Sequence, residues 1–197
     1  MRTAFPSGPG PVAPPLPVAD AAAALELRTL FATHYASIWR LLRRLGVPVA
    51  QVDDSVQEVF WVVARKLAQI DPGKQQAFLY GVALRVAASE VRRRSNAPAR
   101  GDSEEVEQLV DERPSPEEAL EQARARALLD SVLDRLPLEL RSVLVLFELE
   151  GLDVRAIAEI EAIPVGTVGS RLRRAREEFS AHAKRLRARL HTPRRIA

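Results

Sequence analysis

The residues best suited to chemistry form a cluster of hydroxyls and arginines near the C-terminus of the 197-residue chain. The cluster consists of Thr167, Ser170, Arg171, Arg173 and Arg174. Between them, apolar residues recur at helical spacing, which predicts a helix that buries Val168, Leu172, Ala175 and Phe179. Short hydroxyls followed by arginines on the opposite face are typical of a helix whose first turns enter a DNA major groove. The alternative is a helical hairpin with a solvated basic face.

The segment before this helix predicts how the helix is positioned. Asp153 can cap a short helix whose inner face is formed by Ile157, Ala158 and Ile160. The pattern breaks just before Pro164, which is tolerated in the first turn of the next helix because its missing N–H would be unpaired there. Two helices joined by so short a turn indicate a helix-turn-helix over residues 151–179.

The composition argues against other kinds of site. The chain has no cysteine, and no ligand-like spacing links its three histidines, so we predict neither a disulfide nor a metal site. We find no phosphate-cradling glycine loop, nucleophile–base pattern or paired-carboxylate site, and therefore predict no catalytic residues, no cofactor and no enzyme activity. The N-terminus has no apolar run long enough for a signal peptide or a membrane span, which predicts a cytoplasmic protein without membrane insertion.

Charge is distributed unevenly along the chain, although its net value is only +3. Residues 1–100 hold 13 basic and 7 acidic side chains, and residues 101–150 hold 5 and 14. Residues 151–197 hold 11 basic and 5 acidic side chains. Two basic ends that flank an acidic middle favour a nucleic-acid partner.

Composition also predicts two small helical domains. Residues 1–20 are rich in Pro, Ala and Gly and predict a disordered tail, with an extended proline-rich ligand as the alternative. Residues 96–116 are acidic and interrupted by proline, which predicts a flexible linker. The two domains then cover residues 21–95 and 117–190.

Apolar periodicity predicts only helices within these domains. No stretch alternates with period two, so the predicted fold class is all-α. Gly46 and Pro48 should end the first helix, and Asp71–Lys74 should form a turn. The further helices are predicted over about 48–69, 78–94, 120–136, 137–150, 153–161 and 164–190.

Two motifs, in this order, resemble the second and fourth conserved regions of bacterial RNA polymerase sigma factors of the extracytoplasmic-function class of the sigma-70 family. The first is DDSVQEVFWVVARKL at 53–67, followed by the Asp-Pro-Gly turn and FLYGVALRVAASEVRRR at 78–94. The second is LDRLPLELRSVLVLFELEGLDVRAIAEIEAIPVGTVGSRLRRARE at 133–177. A helix-turn-helix alone is weakly specific, whereas the VQEVF helix ahead of it makes the joint pattern specific. The resemblance implies a two-domain transcription initiation factor without catalytic residues of its own.

The resemblance assigns an acidic face in the first domain to the polymerase core. Four residues match the face that similar proteins press against a coiled coil of the largest polymerase subunit: Asp53, Asp54, Gln57 and Glu58. They lie opposite a valine stripe and could pair with arginines of a partner. The alternative is a solvated acidic face that the helix dipole stabilises.

The resemblance implies promoter DNA contacts in both domains. Arg92, Arg93 and Arg94 match the basic helix end that meets the minus-ten element, and the loop Asp71–Ala77 matches the segment that captures an unstacked base there. For the arginines, complementarity to the helix dipole is the alternative. The cluster Thr167, Ser170, Arg171, Arg173 and Arg174 matches the face that reads the minus-thirty-five element. An anti-sigma factor is a further candidate partner.

The chain departs from the usual pattern at several positions. Ala162 stands in the turn where glycine is usual, Glu161 stands where an apolar residue is common, and Gly169 replaces a frequent lysine. Less usual residues also occur in the second-region motif, at Gly81, Leu84, Arg85 and Ser89. Two other functions stay open: a stand-alone helix-turn-helix DNA-binding regulator, and a helical decoy that binds an anti-sigma partner. Gly169 and the altered second-region residues keep the decoy alternative open.

Overall fold

The computed structural model describes residues 21–96 and 116–191, and within them the chain forms seven α-helices and no strand. The predicted all-α fold is confirmed. The predicted tail at 1–20 and nearly all of the predicted linker lie outside the described residues. The helices are α1 Ala21–Arg44, α2 Val49–Lys66, α3 Gln75–Asn96, α4 Pro116–Leu133, α5 Leu138–Glu148, α6 Val154–Glu161 and α7 Val165–His191.

Gly46 ends α1 as predicted. Its φ of 98° lies in the left-handed region, which glycine adopts without steric cost. The Gly46 and Val47 amides donate to the carbonyls of Arg43 and Leu42, at 2.9 and 3.0 Å. These two bonds satisfy carbonyls that would otherwise be unpaired at the helix end, and they turn the chain toward α2.

Two predicted helices end three residues earlier than expected. The helix that begins near Pro48 stops at Lys66 and tightens into a 3-10 turn over Leu67–Gln69. The helix predicted to reach Leu136 stops at Leu133, and the Arg135 and Leu136 amides then bond three residues back. The residue before a proline is disfavoured in helical conformation, so Pro137 explains why the helix does not continue through Leu136 as predicted.

Two helices, α6 and α7, are joined by a short turn where the sequence predicts a helix-turn-helix. The Asp153 carboxylate accepts from the amides of Arg155 and Ala156, both at 2.8 Å, and so caps α6. Ala162 follows α6 with φ 54° and ψ 46°, a left-handed conformation that costs a non-glycine residue roughly 1 kcal/mol. Ala162 therefore adopts the left-handed conformation that glycine would adopt at this position.

The two halves of the chain, residues 21–96 and 116–191, pack against each other. Helix α3 contacts α6, and α1 contacts α4. Beneath Gly46, the buried guanidinium of Arg141 donates to Asp134 at 3.0 Å and to the Leu136 carbonyl at 3.2 Å. The position that a β-carbon on Gly46 would take is already filled by that guanidinium. The predicted domains are thus in direct contact.

Candidate nucleic-acid interface and acidic face

The helix α7 presents the predicted DNA-binding residues in two different settings. Its apolar stripe is buried, as predicted, at Val168, Leu172 and Ala175, whereas Phe179, also predicted to be buried, is half-buried. Ser170, Arg173 and Arg174 are exposed, whereas Thr167 and Arg171 are half-buried. The cluster therefore spans an exposed outer face and a half-buried flank, and Arg171 still lines one surface cavity together with Ser170, Arg173 and Arg174.

Arg171 lies on the flank because it is paired with Glu161 across the turn. Its guanidinium donates to the Glu161 carboxylate at 3.1 Å, and the Glu161 side chain is only 9% exposed. Burial raises the pKa of the Glu161 carboxyl, while hydrogen bonding to Ser142 and the charge of Arg171 oppose that rise. A buried carboxylate needs such a partner, so Arg171 is engaged within the protein rather than presented freely on the outer face.

A sequence signal for this arrangement exists. Arg171 follows Val168 by three residues and precedes Ala175 by four, so it belongs to the apolar stripe by spacing. An arginine on a buried stripe calls for an acidic partner, and the unusual Glu161 supplies it.

The exposed arginines on α7 pair along the helix. Arg173 bonds to Glu177 at 2.9 Å, and Arg174 bonds to Glu178 at 2.8 Å. Exposed pairs at this spacing contribute about 0.3–0.5 kcal/mol each, so a phosphate can replace the glutamates at little cost. Gly169 lies on the same exposed side, and a β-carbon there would meet nothing within 4 Å.

The acidic face of α2 is exposed as a whole. Asp53, Asp54, Gln57 and Glu58 all reach solvent, while the stripe on the other side is fully buried at Val52, Val56, Val59 and Val63. The structure therefore brings the four residues together on one surface.

Two aromatic residues of α1 hold Asp53 in place, which the sequence analysis missed. The Tyr35 hydroxyl and the Trp39 indole N–H both donate to one Asp53 carboxylate oxygen, at 2.9 and 3.1 Å. Burial, together with the bond to Asp53 and its negative charge, raises the pKa of Tyr35 to about 12. These two bonds orient the Asp53 carboxylate through one of its oxygens, and the Asp53 side chain remains exposed.

The predicted minus-ten residues occupy the two ends of α3. Arg92, Arg93 and Arg94 are exposed, and Arg93 pairs with the buried Glu90 at 2.8 Å. The loop before α3 turns at Gly73, as predicted, with φ 84°. Between this loop and α6 lies a cleft of about 410 Å³. It is lined by Asp71 and Lys74 of the loop, by Lys66 of α2 and Arg85 of α3, and by Glu159 and Ile160 of α6.

Two other kinds of site are absent from the described residues. Among the helices of the two described ranges, none combines the length and the apolar character needed to cross a membrane. In the same ranges, histidine and acidic side chains form no group of three or more that could hold a metal ion.

Comparisons with known proteins agree with the two motifs. The family model described as "Sigma-70 region 2" matches residues 30–97, and the one described as "Sigma-70, region 4" matches residues 126–179. Among solved structures, CnrH in complex with the cytosolic domain of CnrY has a TM-score of 0.60 at 26% identity, covering 81% of this chain and 90% of that one. The sigma factor RpoE of Bartonella quintana, in complex with the anti-sigma factor NepR, has a TM-score of 0.63 at 16% identity, and this likeness concerns the fold alone.

Three similar proteins are named as RNA polymerase sigma factors. The ECF RNA polymerase sigma factor SigE of Mycolicibacterium smegmatis is 31% identical over 81% of this chain, which spans 62% of that relative's length. The ECF RNA polymerase sigma-E factor of Escherichia coli is 32% identical over 66% of this chain and 73% of its own. The RNA polymerase sigma-H factor of Pseudomonas aeruginosa is 31% identical over 78% and 83%. The chain therefore belongs to the sigma-70 family of sigma factors, non-enzymatic transcription initiation factors, in its extracytoplasmic-function (ECF) class.

Proposed function

We propose that this protein binds the RNA polymerase core through the acidic face of α2 and directs it to promoters, where it helps to open the duplex. The observation that carries the proposal is the exposed set Asp53, Asp54, Gln57 and Glu58 on a helix whose other side is fully buried. A solvated face needs no fixed geometry, whereas Asp53 is oriented by two donors from α1. Preorganised carboxylates lose less entropy when they pair with cations of a partner.

Promoter recognition is assigned to α7 and to the first half of the chain. Ser170, Arg173 and Arg174 form the outer face of α7 and suit the minus-thirty-five element, with the arginines bound to phosphate or to a guanine edge. Arg171 is assigned to the flank, where its bond to Glu161 ties α7 to α6, and the half-buried Thr167 lies on the same flank. Arg92, Arg93, Arg94 and the loop 71–77 are assigned to the minus-ten element. The units that carry these functions are residues 21–95 and 117–190.

An anti-sigma factor is the further partner that we propose. A structure of 26% identity contains the cytosolic domain of CnrY bound to CnrH. The polymerase and the promoter are cytoplasmic in bacteria. Since we propose that this protein binds both, we expect it to work in the cytoplasm.

Run-off transcription with purified core polymerase tests the proposal. Genomic fragments are transcribed with core alone, with core plus this protein, and with core plus the Asp54→Arg/Glu58→Arg variant. We expect promoter-specific transcripts only with the unaltered protein. Duplex binding by the free protein without any dependent transcript would instead indicate a stand-alone regulator, and neither activity would indicate a decoy.

A further inference from the structure

Helix α7 continues beyond the part of the chain that matches the region 4 family model. The match ends at residue 179, whereas α7 reaches His191, about three turns further on. The last acidic side chain in the sequence is Glu178, and residues 179–197 hold six basic and no acidic side chains. The end of α7 is thus a basic helical segment to which the region 4 match assigns no role.

Two pairs of cations lie on the same side of α7. The first basic pair is Arg173 and Arg174, and the second basic pair, Lys184 and Arg185, follows it by eleven residues. Eleven residues complete three turns of an α-helix and span about 16 Å. All four side chains are exposed. The second basic pair therefore extends the outer face of α7 along the helix toward its C-terminus.

The second basic pair lacks the acidic neighbours of the first. The first basic pair bonds to Glu177 and Glu178, one turn further along the helix. No acidic residue lies within four positions of the second basic pair in the sequence, so pairing of this kind along the helix is excluded there. Complementarity to the helix dipole acts within the last turn, and the second basic pair precedes that turn. Its charge is therefore available to an anionic partner.

DNA is the anionic partner that the position of the second basic pair favours. The proposed function places the outer face of α7 in a major groove, which is about 12 Å wide. The second basic pair lies about 16 Å further along the same helix, and so beyond the edge of the groove, where a sugar–phosphate backbone runs. Lysine and arginine in such a place bind phosphate, which raises the affinity without reading the bases.

We infer that the second basic pair binds DNA phosphates beside the segment that the outer face of α7 reads, and so lengthens the promoter contact. The inference rests on the proposed function, because that function sets which side of α7 faces DNA. An acidic protein surface is the competing partner. It would bind the same charges but would leave the affinity for DNA alone unchanged.

The first test measures how salt weakens binding of the free protein to a fluorescent duplex of random sequence. Lys184→Ala/Arg185→Ala removes two phosphate contacts, so the slope of log affinity against log salt concentration should become shallower by about 1.8. Between about 50 and about 200 mM salt, the unaltered protein should then lose about tenfold more affinity than this variant does. Thermal melting of each variant checks that it folds.

Two controls accompany this test. Lys184→Arg/Arg185→Lys keeps both charges and should show the salt slope of the unaltered protein. Arg28→Ala/Arg40→Ala removes two exposed cations from α1, so it matches the change in net charge without touching α7. Its slope should also stay unchanged. An unchanged slope in Lys184→Ala/Arg185→Ala, or an equal change in the α1 control, overturns the inference.

The second test locates the contact in the polymerase complex, on a promoter that run-off transcription has identified. The chain has no cysteine, so Ala181→Cys, exposed and one turn before Arg185, accepts an iron chelate that cleaves nearby DNA or polypeptide when peroxide and ascorbate are added. We expect DNA cleavage at one edge of the minus-thirty-five element, weakened when Lys184→Ala/Arg185→Ala is added.

Cleavage of a polymerase subunit with the DNA left intact would overturn the inference in favour of an acidic protein surface. Failure of the proposed function would appear separately, as absent run-off transcripts with every variant. The salt test needs no polymerase and decides the inference in that case too.

Discussion

The Arg171 guanidinium lies 3.1 Å from the Glu161 carboxylate, and this ion pair joins the two helices of the helix-turn-helix across their turn. The pair accounts for two unusual residues. Glu161 stands where an apolar residue is common, and Arg171 lies beside the buried stripe; each charge compensates the other. The pair sets the angle at which α7 leaves the turn, while the residues beyond it form the outer face.

The first prediction separates this structural arginine from a DNA-binding one. Arg171→Ala leaves Glu161 buried without its cation and should lower the free energy of unfolding by about 1–3 kcal/mol. Arg173→Ala removes only an exposed pair, so stability should change by less than about 0.5 kcal/mol while DNA affinity falls for all sequences. Denaturant unfolding and duplex binding measure the two effects. An Arg171→Ala protein of normal stability that loses preference at one base position would restore Arg171 to base reading.

The second prediction concerns the left-handed turn at Ala162. Ala162→Gly should raise the free energy of unfolding by about 1 kcal/mol, because glycine adopts φ 54° without the clash that alanine suffers. Gly151→Ala is the matched control: Gly151 has φ 70° and open space around it, so the change should cost a similar amount. Equal stability of the Ala162→Gly variant and the unaltered protein would mean that the turn is not strained.

The third prediction concerns the open surface at Gly169. Gly169→Ala should stabilise the protein by roughly 0.5–1 kcal/mol through reduced backbone entropy, with DNA binding unchanged. Gly169→Lys should strengthen binding to any duplex and steepen the salt dependence by about one phosphate contact. Weaker DNA binding by the alanine variant would show instead that the helix approaches the DNA backbone closely at this position.

The fourth prediction tests the polymerase contact. Reversing Asp54 and Glu58 to Arg should abolish binding to core polymerase while the melting temperature stays within a few degrees, because both side chains are exposed. Glu121→Arg, an exposed change on α4, is the control and should bind core normally. If the double variant still bound core polymerase in a pull-down, the acidic face would be a solvated surface and not the polymerase contact.

The fifth prediction follows from the raised pKa of Tyr35. The chain has two tyrosines, so in a Tyr80→Phe variant the absorbance of tyrosinate reports Tyr35 alone, with an expected midpoint near pH 12. The folded state holds the phenolic proton more tightly than the unfolded chain does. This contribution to stability is therefore complete below about pH 10 and is lost as the pH rises toward 12. Asp53→Asn should lower the midpoint, and an unchanged midpoint would contradict the bond between Tyr35 and Asp53.

Local rules predicted most of the fold. The stripe on α2, the cap at Asp153 and the glycine after α1 depend on neighbours within a few residues, so their spacing is visible in a single sequence. The predicted ends of α2 and α4 differ from the observed ends by three residues, because apolar spacing and a nearby proline locate a helix end only to within about one turn.

The contacts between distant residues could not be predicted in this way. Arg44 and Glu150 are 106 residues apart, and no period or motif connects them. The same holds for Asp53 and its donors on α1, which meet only once α1 and α2 have packed together. Arg171 differs, because its spacing from Val168 and Ala175 is visible in the sequence and places it next to the buried stripe.

The guanidinium of Arg141 fills the space beside Gly46, so the end of α1 and the buried start of α5 share one small volume. Packing of this kind couples the unfolding of the two described ranges, since the first cannot lose its structure without exposing the buried Arg141 guanidinium of the second. A single calorimetric transition is therefore expected, and Gly46→Ala should split it into two. In such a chain, the glycine that ends one helix also determines whether two halves melt as one.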